Sequence, residues 1–131
     1  MILRTELRKL VRARLKDAEV LYANRRYAGA VYLCGYAVEL ALKERICKTL
    51  RWQGFPETGQ EMQGYRSFIV HDLDVLLHLS GVEQRIKTQY LADWSLVAKW
   101  DPQLRYQPIR QTTRQHALDM LRAVQTLTRV L

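Results

Sequence analysis

The sequence contains few glycines and prolines, which interrupt helices and strands, and few cysteines, which can form disulfides. Its 131 residues include six glycines, three prolines and two cysteines. So few glycines and prolines exclude a disordered or fibrous chain. Cys34 and Cys47 lie in one helical stretch with Cα atoms about 19 Å apart, too far for a disulfide. We therefore expect two buried thiols in a reducing compartment, within one domain, residues 1–131, that needs no disulfide or metal to form its core.

Long apolar runs and familiar catalytic signatures are also missing. Charges begin at Arg4, so we expect neither a signal peptide nor a membrane anchor, and a cytoplasmic location. The sequence lacks GxGxxG, GxxxxGK[ST], GxSxG and CxxC, the minimum motifs of dinucleotide, P-loop, hydrolase and zinc-ribbon sites. His71 and His78 are about 10 Å apart along a predicted helix, too far to share one ion without other ligands. We expect no metal site and no cofactor.

What the sequence does contain is the apolar periodicity of helices. Apolar residues recur every three or four positions, and the second stretch is apolar nearly all round, which is typical of a central helix. Gln53–Ser67 is rich in glycine and predicts a long loop, and Trp100–Ile109 predicts a turn between prolines. We expect Leu91 on the buried side of the fourth helix. The fold class is all-α, an up-and-down bundle of four main helices plus one short helix, with predicted spans 3–23, 27–50, 71–79 (the short one), 83–99 and 110–130.

Positive charge is concentrated at the two ends of the chain. The formal net charge is +8. Residues 1–26 carry eight Lys/Arg and three Asp/Glu, residues 27–100 carry eight of each, and residues 101–131 carry five and two. If the first and last helices are neighbours, they form one basic face suited to RNA, a nucleotide or an acidic partner. The alternative is ordinary solubilising charge.

Glu39 is the polar residue that most requires an explanation. It lies in the most apolar stretch of the chain, where an unpaired carboxylate is costly. An ion pair with Arg105 or a hydrogen bond from Tyr106 would tie the central helix to the turn before the last helix. The alternative is that Glu39 reaches solvent or pairs with Lys43 one helical turn away.

Four segments together resemble one known family. They are RLKDAEVLYANRRYAGAVYLCGYAVELALKERIC from Arg14 to Cys47, HDLDVLL from His71, WSLVAKW from Trp94 to Trp100, and the dipeptide Arg105-Tyr106. The family is HEPN, the higher-eukaryote and prokaryote nucleotide-binding domain, and the resemblance covers nearly the whole chain. It implies a helical bundle that commonly forms homodimers and often acts with a minimal nucleotidyltransferase, in some cases as a toxin-antitoxin pair.

The resemblance also implies a possible reaction. Active members resemble metal-independent ribonucleases that use Arg, four to six residues, then His, with both residues acting at the 2′-hydroxyl and the scissile phosphate. Imidazole suits a base near neutral pH, and guanidinium stabilises the charge of a phosphorane. Two segments have this spacing: Arg66 with His71, and Arg110 with His116. Neither arginine is followed by the family's usual Asn, Asp or His, and such a pair arises easily by chance in a chain with 21 Lys/Arg.

Three functional hypotheses follow. In the first, the chain is a HEPN-type module that binds a nucleotide, RNA or a partner protein, with Glu39, Arg105 and Tyr106 as a polar cluster near the binding groove. In the second, it is an RNA-cleaving toxin. In the third, it is a structural adaptor whose basic helices can be neutralised without consequence. Trp94 and Trp100 are expected in the core, although an exposed Trp100 beside Arg105 would offer a surface for stacking a base.

Overall fold

The computed structural model describes residues 1–58, 61, 71–106, 108 and 111–131, and these are predominantly helical. The predicted all-α class is confirmed at this level. A short antiparallel pair of strands, in which Ile2 faces Phe55, joins the N-terminus to the chain after the second helix. In the described residues the elements are β1 Ile2–Leu3, α1 Arg4–Ala23, α2 Tyr27–Leu50, β2 Gly54–Phe55, α3 Leu73–Leu79, α4 Glu83–Gln89, α5 Leu91–Val97, a 3-10 helix Pro102–Tyr106, and α6 Arg114–Val130.

Helix α2 is the centre of the fold, as its apolar sequence predicts. Twelve of its residues are buried, and α1, α3 and α6 all contact it. Helix α1 also contacts α6, so the first and last helices are neighbours, which is the condition for the shared basic face considered above. Within the described residues, no helix is both long enough and apolar enough to cross a membrane.

Trp100 links α2 to the segment that precedes α6. Its side chain is buried, and its ring lies edge-on to Tyr36 of α2 with centroids 5.0 Å apart. The indole fits because Gly35 has no side chain: a Cβ at this position would lie 2.0 Å from the ring. Trp100 therefore fixes the position of the segment that leads into the 3-10 helix.

Two predicted helices differ from those observed by more than two residues or in number, and the short helix begins at Leu73 rather than at residue 71. The helix predicted over residues 83–99 is two helices, because Tyr90 adopts φ −130° and interrupts the α-helical backbone. The interruption changes the helical phase, so Leu91 is 56% exposed rather than buried. Helix α6 begins at Arg114 rather than near Arg110, because the Thr113 side chain caps it by accepting a hydrogen bond from the backbone N–H of His116.

Cys34 and Cys47 are both free and buried, as predicted. Burial raises the pKa of Cys34 to about 12 and that of Cys47 to about 11. Both thiols therefore stay protonated at neutral pH, and a protonated thiol is neither a good nucleophile nor a metal ligand.

Candidate nucleic-acid interface

The turn between α1 and α2 presents two arginines to solvent. Helix α1 ends in a Schellman motif, in which the Arg26 N–H donates to the Leu21 carbonyl at 2.8 Å and the Arg25 N–H donates to the Tyr22 carbonyl at 3.0 Å. Arg25 occupies the left-handed position of this motif with φ +61°. Glycine is the usual residue there, so an arginine side chain is kept at some cost in backbone energy.

A groove runs from this turn to the 3-10 helix. It has a volume of about 350 Å³. An adjoining recess of about 370 Å³ shares Arg25 and Tyr27 with it and extends to Arg114 at the start of α6. We call these two together the arginine–tyrosine groove, lined by Leu21, Tyr22, Ala23, Arg25, Arg26, Tyr27, Ala28, Gly29, Tyr32, Leu104, Arg105, Thr112 and Arg114.

The arginines of the groove lie against tyrosines. The Arg105 guanidinium is 4.8 Å from the centre of the Tyr106 ring, and Nε of Arg114 donates to the Tyr22 hydroxyl at 3.4 Å. Tyr22 and Tyr27 have ring centroids 5.7 Å apart. Planar guanidinium and aromatic groups side by side can contact phosphates and base faces together.

Tyr32 of the groove is hydrogen-bonded to a second tyrosine of α2, and the contact shifts the pKa of both. Tyr32 and Tyr36 share a hydrogen bond of 3.3 Å between their hydroxyls. This bond, together with burial, raises the pKa of Tyr36 to about 12. The same bond lowers the pKa of Tyr32, and the nearby Arg105 charge lowers it further. Either hydroxyl can donate the hydrogen bond between the two tyrosines.

The positive charge of the groove is not neutralised by the protein. Among the described residues lining it, four are arginines and none is acidic. In the described part of the chain, no carboxylate forms an ion pair with Arg25, Arg26, Arg105 or Arg114. Elsewhere on α1 the pattern is different, since Arg4 and Arg8 both pair with Glu44 at 2.8 and 3.0 Å. The groove is therefore a site at which anions are attracted without displacing an internal partner.

A second pocket of about 290 Å³ adjoins the groove and shares Ala28, Leu104 and Thr112 with it. His116, from the first turn of α6, lines this pocket with Lys99 and the edge of Trp100. Trp100 is only 5% exposed, so the indole belongs to the core as expected, and the alternative of an exposed stacking surface is excluded. Tyr106 is 72% exposed and is available to a base instead.

Glu39 has partners other than the two expected at Arg105 and Tyr106. Its Oε1 accepts a hydrogen bond from Lys43 Nζ at 2.7 Å, which is the alternative partner one helical turn away. The same oxygen lies 2.9 Å from Nδ1 of His71. The predicted polar cluster of Glu39, Arg105 and Tyr106 is therefore not formed. Glu39 contacts His71 just before α3, whereas Arg105 lines the groove and Tyr106 lies against Arg105.

The contact with His71 gives Glu39 a possible chemical role. Glu39 is 4% exposed at its side chain and His71 is 61% exposed, so a buried carboxylate holds an imidazole at the surface. If Nδ1 carries the proton, the ring presents Nε2 as an acceptor or base. The second carboxylate oxygen, Oε2, is buried without a hydrogen-bond partner in the described residues. Sequence reasoning found both residues but did not connect them.

The structure describes only the histidine of each Arg-His pair. His71 precedes the N-cap of α3 and His116 lies in the first turn of α6. Arg66 and Arg110 lie outside the described residues. The predicted catalytic pairing stays a prediction for both segments.

Arg25 and Arg51, whose backbones adopt the left-handed conformation, provide a test that separates effects on stability from effects on binding. Arg25 and Arg51 have φ of +61° and +58°, and each follows the last residues of a helix in the same Schellman geometry. Replacing either by glycine should stabilise the fold by about 1 kcal/mol, because glycine lacks the Cβ penalty of this conformation. If the groove holds RNA, only Arg25→Gly should weaken that binding, by about fourfold at 0.15 M salt for one lost phosphate contact. Urea unfolding and fluorescence anisotropy measure the two effects, and equal RNA affinities of the two variants would exclude Arg25 from the interface.

Comparison with known proteins finds no matching family model, no similar curated protein and no similar solved structure. The HEPN resemblance therefore rests on the sequence segments given above and stays a prediction.

Proposed function

We propose that this chain is a HEPN-like module that binds single-stranded RNA in the arginine–tyrosine groove. The observation that carries the proposal is the group of four arginines without carboxylate partners in the described residues, interleaved with exposed or half-buried tyrosines. Arginine binds phosphate through its planar fork of donors, and tyrosine stacks on bases without selecting a sequence. Expected partners, a second copy of the chain and a minimal nucleotidyltransferase, come from the resemblance only.

A preference for single strands follows from the same side chains. Stacking on Tyr27 or Tyr106 requires a base face that is free, and in a duplex those faces are covered by neighbouring base pairs. Four phosphate contacts explain attraction to any nucleic acid, whereas the tyrosines favour an unpaired strand.

The proposal is tested by comparing a labelled twelve-nucleotide single strand with a duplex of the same sequence. We expect the single strand to bind at least about tenfold more tightly at 0.15 M salt, since one stacked base contributes about 1–3 kcal/mol. Fluorescence anisotropy gives both affinities. Equal affinity for the two ligands would leave only a nonspecific phosphate surface, and no binding of either would refute the proposal.

A metal-independent ribonuclease is the second candidate, and the bond between Glu39 and His71 favours it. His71 Nε2 would take the proton of a 2′-hydroxyl, whose oxygen would attack the adjacent phosphorus. The bond to the 5′-oxygen would then break, leaving a 2′,3′-cyclic phosphate and a 5′-oxygen that takes a proton from water to become a hydroxyl. An arginine would stabilise the charged phosphorane.

Cleavage of labelled tRNA and mRNA in EDTA distinguishes the two candidates. The ribonuclease predicts product with the wild type and its loss with His71→Ala or with His116→Ala, while circular dichroism stays native. The binding module predicts no cleavage and unchanged RNA affinity in His71→Ala, because His71 does not line the groove.

A further inference from the structure

A second basic pocket lies where the N-terminal half of α1 meets the ends of α2 and α6. It has a volume of about 350 Å³, and its charged lining side chains are four cations, Arg8, Arg12, Lys48 and Arg129, and one carboxylate, Glu44. We call it the far basic pocket. Arg8 is held by Glu44 at 3.0 Å. No carboxylate of the described residues pairs with the other three, and Arg129 Nε donates only to a backbone carbonyl, that of Gln125, at 3.1 Å.

The far basic pocket and the arginine–tyrosine groove lie at opposite ends of one seam. At the groove end, Arg114 of α6 contacts Tyr22 of α1. Between the two ends, Gln125 Nε2 donates to Glu19 Oε1 at 3.3 Å. Arg129 and Arg12 then line the same pocket at the other end. The two helices therefore run antiparallel with their polar edges side by side.

The length of the seam sets the size of a ligand that can use both ends. Tyr22 and Arg8 are fourteen residues apart on α1, which corresponds to about 21 Å along the helix. A stacked strand rises about 3.4 Å per nucleotide, so about six nucleotides span the seam. A mononucleotide or a dinucleotide reaches only one end.

The two ends differ in the contacts they offer. The described residues lining the far basic pocket include no aromatic side chain, whereas the groove has three tyrosines among its lining residues. The pocket therefore suits phosphates alone, and the groove suits phosphates and bases. Glu19 is the one acidic side chain seen bridging α1 and α6 in the described residues, and it opposes a phosphate passing over the middle of the seam.

We propose that the far basic pocket binds phosphates of the same RNA strand that occupies the arginine–tyrosine groove, so that the ligand is an oligonucleotide of about six nucleotides or more. The inference rests on the proposed function, because it extends the same ligand from one end of the seam to the other. It adds a second phosphate-binding site and a minimum length for the strand.

The test compares oligouridylates of four and twelve nucleotides on the wild type and on the double variant Arg12→Gln/Arg129→Gln. At 0.15 M salt, loss of two phosphate contacts should weaken binding of the twelve-mer by about tenfold and leave the four-mer unchanged. Glu19→Gln should strengthen binding of the twelve-mer by a few-fold, since it removes the opposing charge. Thermal unfolding checks that each variant folds.

The possible failures are distinguishable. If the wild type binds neither oligonucleotide, the proposed function itself is wrong. If it binds both but the double variant loses nothing on the twelve-mer, the groove stands and the far basic pocket is not part of the RNA site. An equal loss on both lengths would also overturn the inference, because it would indicate a general charge effect with no dependence on span.

Discussion

Replacing Gly35 by alanine should lower the free energy of unfolding by about 3 kcal/mol, the upper end of the range for overpacking a core. The added Cβ would lie 2.0 Å from the indole of Trp100, which is far inside van der Waals contact. A buried, rigid ring cannot turn aside, so either Trp100 leaves its site or α2 bends. Urea unfolding measures the loss, and the displaced Trp100 should also change the near-ultraviolet circular dichroism.

Gly29→Ala is the matched control on the same helix. Its Cβ would meet the end of the flexible Leu21 side chain at 3.3 Å, a contact that a few tenths of an ångström relieve. The higher helix propensity of alanine favours the change, so we expect a difference within about 1 kcal/mol of the wild type. If Gly35→Ala unfolded at the same urea concentration as Gly29→Ala, the packing of Trp100 on α2 described above would be wrong.

Neutralising the four groove arginines should have the largest effect on binding. We expect Arg25→Gln, Arg26→Gln, Arg105→Gln and Arg114→Gln in one chain to weaken binding of a twelve-nucleotide single strand by about 200-fold at 0.15 M salt, because each lost phosphate contact lowers affinity about fourfold. The side chains are exposed and make few internal contacts, so stability should change little. Anisotropy titrations at one salt concentration give the ratio.

A charge-matched control distinguishes the effect of losing the groove arginines from the effect of lowering the net charge. Lys9, Lys16, Arg51 and Lys87 are exposed and line neither the groove nor the far basic pocket among the described residues. Changing these four to glutamine lowers the formal charge from +8 to +4, as does the groove variant. Long-range attraction at 0.15 M salt is screened over about 8 Å, so the control should lose only a few-fold in affinity. A loss as large as that of the groove variant would mean that binding depends on net charge.

The sequence predicted α2 better than any other element. Its bounds, Tyr27 and Leu50, match the observed helix because the apolar run is long and the break at Asn24–Arg26 is polar. The interruption at Tyr90 was not predictable from periodicity, since apolar residues continue on both sides of it. The two-residue strands were missed because elements this short leave no period to detect.

The candidate site was predicted in part. Arg105 and Tyr106 were singled out, but the turn at Arg25 and Arg26 was interpreted only as a break between helices. A count of charges places the basic excess at both chain ends, yet it cannot say which side chains meet. That depends on the antiparallel packing of α1 and α6 and on Trp100, which positions the 3-10 helix. Glu39 was identified as needing a partner, but the choice between Arg105 and Lys43 required the packing itself.

The most direct test of the account is the salt dependence of single-stranded RNA affinity for the wild type and the groove variant, measured side by side from 50 to 300 mM salt. The slope of the logarithm of RNA affinity against the logarithm of salt concentration should be steeper by about 3 for the wild type than for the groove variant, because four phosphate contacts on a single strand are lost in the variant. The charge-matched control should keep the wild-type slope. Equal slopes for the wild type and the groove variant would contradict the assignment of the arginine–tyrosine groove as the RNA site.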